Sequence, residues 1–200
     1  EQLSRAEVIT SKQIDKSIPA NLNSMNGDVA RLVMDKDTTA KLGGFVVLDH
    51  YVSTPEKLVS DIREIAKQTG GKIVLGEYGA PIPDLHGNMN QDEQANWISK
   101  SLDLLSREKS VVGINYWTGF GGSTKLWNDD HSERKAVTTL TSYFNPVQIS
   151  GRITTFLGLP VPAAVVEYGK RQTITDASGR FSLAKIGADQ KLSVSLPGFI

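Results

Sequence analysis

The stretch KIVLGE, residues 72–77, is an apolar run that ends in a glycine and a carboxylate. Such a run is typical of a strand in a parallel sheet, where both faces of the strand are buried. The stretches FVVLD, residues 45–49, and VVGINYW, residues 111–117, repeat the pattern before and after it. The sequence therefore predicts three buried strands in succession.

Helical segments separate and follow these strands. After the first strand, Thr54 suits an N-cap, Pro55 suits the first helical position, and Gly70 and Gly71 end the segment. Apolar residues at helical spacing mark two later helices, one with Ile98, Leu102 and Leu105 and one with Ala136, Val137, Leu140 and Phe144. This alternation indicates right-handed βαβ units and a parallel sheet.

The pattern changes after Pro146. Short β-type runs separated by Gly, Pro, Asp and Ser follow, which predicts a small antiparallel sandwich. We therefore place the domains at residues 1–146 and 147–200. The runs cover residues 148–155, 164–168, 172–175, 180–183 and 191–196. Upstream of residue 45 the pattern is weak, and a short strand over residues 18–22 is the one element expected there.

Composition narrows the function classes. The 200 residues contain 22 Lys and Arg against 22 Asp and Glu. The chain therefore has no excess of positive charge, which binding to nucleic acids or anionic membranes would require. Binding to a neutral polysaccharide requires no such excess. The absence of cysteine excludes disulfides and thiolate metal sites. No apolar run approaches the ~18 residues of a membrane-spanning helix. We expect no cofactor and no metal.

Glu77 ends the second predicted strand. Because side chains alternate along a strand, Ile73, Leu75 and Glu77 should share one face. If that face lines a barrel, Glu77 points inward at the carboxyl end of the strand, where barrel active sites lie. For the dipeptide alone, an exposed glutamate at a strand end would be the simpler interpretation.

The wider context favours a functional glutamate. Residues 49–51 (DHY), 76–81 (GEYGAP) and 115–117 (NYW) resemble the ends of the sixth, seventh and eighth strands of the clan A glycoside hydrolases, which are (β/α)8 barrels. The resemblance covers roughly residues 40–146. It implies that Glu77 is the nucleophile of a retaining enzyme and that Trp117 forms part of the floor of the sugar site.

Further contacts with the substrate are expected from the same strand ends. A hydroxyl of Tyr51 or Tyr78 could hydrogen-bond Glu77 and hold its rotamer. Members of the clan commonly carry a His and a Tyr two residues apart, whereas here Asp49 and Tyr51 share a face and His50 points away. Either Asp49 replaces the usual His or the strand is bulged. For His50, packing behind the barrel wall and contact with substrate both stay open. Asn115 completes the candidate set.

Other polar and aromatic residues carry weaker expectations. We expect Trp97, on a helix, to pack in the barrel shell. Trp127, in the loop after the last barrel strand, could line a subsite or pack in the core. His86, in the loop after Glu77, is an outside candidate for a contact with substrate.

The acid/base residue of the clan is not recognisable in this chain. In the clan it is a Glu that follows an Asn at the end of strand four, and no Asn-Glu pair occurs here. A whole barrel needs about 250 residues. We therefore expect both ends of the chain to be cuts through a longer protein, with strand four upstream, and we expect the chain alone to be inactive.

The C-terminal segment resembles a second family. The hairpin TDASGRF, residues 175–181, is similar to that of the carboxypeptidase regulatory-like domain, a transthyretin-type sandwich. Asp176 and Gly179 should shape the turn, and Phe181 should return to the core. The resemblance implies a truncated spacer or adhesion module of a secreted bacterial protein, and therefore an extracellular or cell-surface location.

The sequence thus predicts an α/β chain, with a partial (β/α)8 barrel of about strands five to eight and a small all-β sandwich. The predicted function is part of a retaining glycoside hydrolase that cleaves an oligo- or polysaccharide with β-linkages. A non-catalytic carbohydrate-binding barrel is the alternative, since it would keep Trp117 without needing an ionised Glu77. A lyase or aldolase barrel would call for a Lys or metal ligands at the strand ends, which these strands lack.

Overall fold

The computed structural model describes residues 24–169, 171–185 and 191–196, together with residues 10, 13, 14 and 198. The strand predicted over residues 18–22 lies outside the described residues. The chain divides into two compact units, residues 1–137 and 138–200. The division falls inside a helix, whereas the sequence pattern places the domain boundary after that helix, near Pro146.

The first unit is built on a parallel sheet. Its strands are β1 (Phe45–Asp49), β2 (Lys72–Tyr78) and β3 (Val111–Tyr116), which lie in that order. Met25 forms a parallel bridge with Leu48 of β1. The positions and the parallel pairing of the three predicted strands are confirmed.

Six described helices accompany the strands. They are α1 (Gly27–Val33), α2 (Lys36–Lys41), α3 (Pro55–Thr69), α4 (Pro83–His86), α5 (Gln91–Leu105) and α6 (Lys135–Phe144). Helix α3 has the predicted ends, because the Thr54 hydroxyl accepts the Lys57 amide at 3.1 Å and Gly70 adopts a left-handed φ of 65°. Among the described residues, no helix combines the length and apolarity that crossing a bilayer requires.

Helices α1 and α2 are absent from the sequence prediction because both are short. Each has a side-chain cap that could have revealed it. The Asn26 side chain accepts the Val29 amide, and the Asp35 side chain accepts the Thr38 amide. A capping residue before so short a segment is a weak signal by itself.

Burial alternates along the first two strands. Val46, Leu48, Ile73 and Leu75 are fully buried, whereas the residues between them are partly exposed. The buried face joins a core with α3, which lies against β2 and α5. The prediction that both faces of these strands are buried is therefore wrong for the described chain, in which the second face of the sheet is only partly covered.

Strand β2 carries one extra residue near its carboxyl end. Leu48 and Asp49 are consecutive in β1, but their partners in β2 are Leu75 and Glu77. The register of β2 against β3 also shifts in this region. Two residues against one is the pattern of a β-bulge, which re-aims the side chains that follow it.

The bulge changes the face on which Glu77 lies. Leu75 and Tyr78 are both fully buried on the helix side, although three positions apart. Glu77, which is partly exposed, turns to the opposite face of the sheet. The prediction that Ile73, Leu75 and Glu77 share one face is wrong for this reason.

The described residues of the second unit contain the end of α6 and two antiparallel sheets. Strand β4 (Val147–Arg152) pairs with β7 (Arg180–Lys185), and β5 (Val165–Tyr168) lies between β6 (Arg171–Ile174) and β8 (Leu192–Ser195). All five predicted strand positions are confirmed.

The turn before β7 has the expected chemistry. The Asp176 carboxylate accepts the backbone amides of Ser178 and Arg180, and Gly179 adopts a φ of 75°. Phe181 is buried after the turn. The turn therefore directs the start of β7 back into the core of this unit.

Candidate active site

The carboxyl ends of β1, β2 and β3 lie side by side. The His50 amide donates to the Glu77 carbonyl at 3.0 Å, and the Trp117 amide donates to the Tyr78 carbonyl at 2.8 Å. The backbone pairing therefore continues to the last residues of the strands. Because these bonds link all three strand ends, the structure brings the three predicted motifs together at one edge of the sheet.

Tyr51 holds the Glu77 carboxylate. The Tyr51 hydroxyl donates to Oε2 of Glu77 at 3.0 Å, and both residues are half-buried. Burial first, and then the hydrogen bond to Glu77, raises the pKa of Tyr51 well above its usual value. The phenol therefore stays protonated at neutral pH and remains a donor to the carboxylate.

The backbone beside Glu77 is also held closely. The Asn115 side-chain amide, which is exposed, donates to the Gly76 carbonyl at 2.9 Å. A Cβ atom at Gly76 would lie 3.0 Å from Oδ1 of Asp49 and 3.0 Å from Cγ1 of Val47. A residue larger than glycine before Glu77 would therefore require the side chains of Asp49 and Val47 to shift by a few tenths of an ångström.

Asp49 pairs with Glu77 in the sheet, and its side chain is partly buried. Its Oδ2 accepts the Ser24 hydroxyl at 2.6 Å. Its Oδ1 is buried and has no hydrogen-bond partner within the described residues. A buried carboxylate oxygen without a donor is costly, so this position has unused capacity to accept a hydrogen bond. Contact between Asp49 and a substrate stays a prediction.

His50 lies on the helix side of the sheet. Its ring is 8% exposed, and its Nε2 lies 3.0 Å from Oδ2 of Asp61 on α3. The ring thus packs behind the sheet, which is one of the two arrangements that the sequence left open for His50, and contact with a substrate stays a prediction.

Asp61 is a polar residue near this site that was not among the predicted site residues. It lies on the apolar stripe of α3 together with Leu58, Ile62 and Ile65, all of which are fully buried. A carboxylate on such a stripe needs a buried partner. A carboxylate at an apolar position of the helical pattern was the sequence signal that could have identified Asp61.

Tyr78 is a core residue. Its ring is fully buried and stacks on Trp97 with ring centroids 5.8 Å apart, and its hydroxyl is hydrogen-bonded to Ser101. The prediction that Tyr78 contacts substrate is corrected, because the bulge in β2 turns this side chain toward α5. The same contact agrees with the expectation that Trp97 packs in the helix layer.

Trp117 presents its indole at the end of β3. The side chain is 50% exposed. The loop that follows is tied down, because the Thr118 amide donates to the Thr124 hydroxyl at 3.1 Å and the Tyr116 hydroxyl lies 2.8 Å from the Thr124 carbonyl. An exposed indole on a fixed backbone is a suitable surface for the apolar face of a sugar ring.

Gln94 is a second buried polar residue that was not among the predicted site residues. It is fully buried on α5, its Nε2 donates to the Ala80 carbonyl at 2.9 Å, and its Oε1 accepts Nε of Arg134 at 2.8 Å. The same Nε2 lies 3.2 Å from the Thr124 carbonyl. Gln94 therefore connects the loop after β2 with the loop after β3.

Two other candidates have structural partners. His86 accepts the Ile82 amide at Nδ1, at 2.8 Å, so its Nε2 is the protonated nitrogen and donates to the Val52 carbonyl at 2.9 Å. Both ring nitrogens thus bind backbone groups, one in the same loop and one in the segment that follows β1. Trp127 stacks on Phe120 with centroids 5.1 Å apart.

A cavity of about 410 Å³ opens beside the end of β1. Asn26, Arg31, Tyr51, Lys57 and Leu85 are among the residues that line it. Tyr51 is therefore shared between this cavity and the Glu77 carboxylate.

A held carboxylate and an exposed indole therefore lie at the ends of neighbouring strands. The Glu77 carboxylate has one oxygen held by a protonated phenol, and an exposed indole ends the neighbouring strand. Within the described ranges, no group of three or more His, Cys, Asp and Glu side chains is arranged to hold a metal ion.

Comparison with known proteins supports the fold. No protein-family model matches the chain, and no curated protein is significantly similar to it. The β-glucuronidase of Bacteroides uniformis matches with a TM-score of 0.59 and 9% identity, over 97% of this chain and 30% of that chain. Its β-glucuronidase 2, covalently bound to cyclophellitol-6-carboxylate aziridine, matches with a TM-score of 0.55, 9% identity and the same coverage.

A third solved structure is similar as well. The GH128 (subgroup VI) exo-beta-1,3-glucanase of Aureobasidium namibiae matches with a TM-score of 0.51 and 9% identity, over 66% of this chain and 56% of that chain. The chain thus spans less than two thirds of the length of each of these structures. At such identities the likeness concerns the fold alone, and this mixed α/β chain has a fold similar to part of solved glycoside hydrolases.

Proposed function

We propose that this chain is part of a retaining glycoside hydrolase that cleaves β-linked glycans, with Glu77 as the nucleophile. The observation that carries the proposal is the Glu77 carboxylate, held by the Tyr51 hydroxyl at 3.0 Å at the end of β2. The half-exposed indole of Trp117 at the end of the next strand supports it. So does the similarity in fold to solved glycoside hydrolases.

The chemistry is a double displacement. Glu77 attacks the anomeric carbon, the bond from that carbon to the leaving oxygen breaks, and a second carboxyl group protonates the leaving oxygen. Water, deprotonated by that same group, then hydrolyses the glycosyl-enzyme and releases Glu77. The hydrogen bond from Tyr51 keeps the Glu77 carboxylate in one rotamer, so less ordering is needed before attack.

The second carboxyl group is proposed to lie outside this chain. Retaining enzymes need it about 5–5.5 Å from the nucleophile. Asp49 is the neighbour of Glu77 in the sheet, but its Oδ2 is bonded to Ser24 and its Oδ1 is buried, which does not suit a proton donor to a bound substrate. A glutamate supplied by an upstream strand would complete the site. The partial coverage of the similar structures is compatible with such an arrangement.

The substrate is proposed to be an oligo- or polysaccharide. Trp117 would stack on a sugar ring, and Tyr51 and the exposed Asn115 would contribute polar contacts at the same edge. The C-terminal strands are proposed to form a carboxypeptidase regulatory-like module on an extracellular or cell-surface protein, on the basis of the Asp176 and Gly179 turn.

Replacement of Glu77 in the full-length protein that contains this chain tests the proposal. With β-linked glycans as substrates, Glu77→Gln should lower kcat by at least about 10³-fold. Glu133→Gln, which alters an exposed carboxylate in the loop after β3, is the matched control and should leave kcat unchanged. Equal activity of Glu77→Gln and the unmodified protein would refute the nucleophile assignment.

Two further results distinguish the alternatives. The isolated 200-residue chain should be inactive, and robust hydrolysis by it would contradict a missing carboxyl group. Oligosaccharide binding by the full-length protein without hydrolysis would favour the non-catalytic carbohydrate-binding barrel.

A further inference from the structure

Asp61 is a buried carboxylate with an unusual number of donors. It is 5% exposed, and it accepts hydrogen bonds from Arg31 at 2.9 Å, Lys57 at 3.0 Å and His50 at 3.0 Å. Burial opposes ionisation, but the bonds from Lys57 and His50 outweigh it and lower the pKa of Asp61 below its usual value. The side chain is therefore an ionised anchor on α3.

His50 is fixed by this anchor on one side and by α1 on the other. A carboxylate can only accept, so Nε2 of His50 carries the proton that lies against Asp61. A Cβ atom at Gly27 would lie 2.6 Å from Cε1 of His50, which means that the helix backbone touches the ring. The His50 amide also donates to the Glu77 carbonyl. Both the side chain and the backbone of His50 are thus held.

The fixed His50 determines where Tyr51 points. Successive side chains of an extended chain face opposite sides of a sheet. With the His50 ring on the helix side, the Tyr51 ring is directed to the other side, where its hydroxyl reaches Oε2 of Glu77.

Stability alone is a weak explanation for such an ion cluster. A buried ion pair is often no better for stability than well-packed apolar residues of similar volume. A hydrogen-bonded pair does, however, define a direction for the imidazole that an apolar contact would not define.

We propose that Asp61 is a positioning residue, which acts through His50 to hold the Tyr51 hydroxyl on the Glu77 carboxylate. The catalytic consequence rests on the proposed function, whereas the effect on the hydrogen bond does not.

Kinetics of the full-length protein test the catalytic consequence. Asp61→Ala should lower kcat by about 10-fold to 100-fold and change KM by less than about twofold. Asp61→Asn, which keeps an acceptor for Nε2 of His50, should recover most of the lost kcat. Asp28→Asn is the matched control and should have no effect, because Asp28 pairs with Arg31 but its side chain is 94% exposed.

A double-mutant cycle separates positioning from a general structural effect. In the Tyr51→Phe background, Asp61→Ala should cause no further loss of kcat, because the hydroxyl that it positions is gone. A full additive loss would overturn the proposal. If Asp61→Ala does not fold, the same cycle with Asp61→Asn applies, and its smaller loss should likewise vanish in the Tyr51→Phe background.

A measurement that does not depend on glycan hydrolysis tests the positioning role of Asp61 separately from the proposed function. NMR titration of ¹³Cζ-labelled tyrosine should show Tyr51 titrating above the usual pKa in the unmodified chain and closer to about 10 in Asp61→Ala. An unchanged Tyr51 titration in that variant would refute the positioning role. A changed titration in a full-length protein that hydrolyses no glycan would refute the proposed function alone.

Discussion

The Tyr51 hydroxyl at the end of β1 donates a hydrogen bond to Oε2 of Glu77 at the end of β2, over 3.0 Å. The bond depends on the extra residue in β2, since Asp49 pairs with Glu77 although the preceding residue of β1 pairs with Leu75. Without that bulge, Glu77 would share the buried face of Leu75 and face the helices. A local irregularity in the sheet therefore creates the candidate site.

Removal of the Tyr51 hydroxyl should impair turnover. A hydrogen bond to a charged group contributes about 1.5–3 kcal/mol, so Tyr51→Phe should lower kcat on a β-linked glycan by about 10-fold to 100-fold. The Glu77→Gln background provides the control, because the hydroxyl then has no nucleophile to hold and its loss should have no further effect. A Tyr51→Phe variant with full activity would show that the bond is dispensable.

Replacement of Trp117 should weaken substrate binding more than catalysis. The indole is half-exposed at the end of β3, so Trp117→Ala should raise KM by about tenfold through lost stacking, with a smaller change in kcat. Trp97→Phe is the matched comparison, since Trp97 is buried against Tyr78. It should lower the free energy of unfolding, by about 1–3 kcal/mol, and leave KM unchanged. An unaltered KM in Trp117→Ala would exclude the indole from the sugar site.

Alkaline pH should destabilise the first unit through Tyr116. Burial raises the pKa of Tyr116 to about 12, above the value near 10 of an unfolded tyrosine. Its contribution to stability is therefore complete below pH ~10 and is lost as the pH rises toward ~12, because the unfolded chain releases the proton first.

Denaturant unfolding at several pH values measures this effect. The free energy of unfolding should fall by roughly 2 kcal/mol across that window on account of this one group. In Tyr116→Phe the fall should be smaller by the same amount. Parallel curves for the two proteins would contradict the raised pKa.

Two glycines of the second unit should respond differently to alanine. Both have positive φ, 75° for Gly179 and 80° for Gly158. A Cβ atom at Gly179 would lie 2.4 Å from the Ile153 carbonyl oxygen, whereas one at Gly158 would meet nothing within 4 Å. Gly158→Ala should therefore lower the free energy of unfolding only through backbone strain, by about 1 kcal/mol. Gly179→Ala should lower it clearly more. Thermal unfolding followed by circular dichroism compares them, and equal losses would contradict the steric explanation.

Local signals predicted the three parallel strands, the three longer helices and the strands after Pro146, but not the short helices α1, α2 and α4. Thr54 and Gly70 mark the ends of α3, and the apolar runs that begin at Phe45, Lys72 and Val111 mark the three parallel strands. Capping, periodicity and turn chemistry act over a few residues, so they can be recognised in the sequence alone. The turn at Asp176 was predicted for the same reason.

The faces of the site residues depend on contacts between distant segments. Because the pairing of β1 with β2 skips one residue, Glu77 turns to the open face while Tyr78 turns into the core, and no property of residues 72–78 alone specifies that shift. The side chain of His50 is directed by Asp61, which belongs to the following helix. Composition and order thus determined that a carboxylate, a phenol and an indole stand at strand ends. Register and packing decided which of them meet, since those are set by long-range pairing.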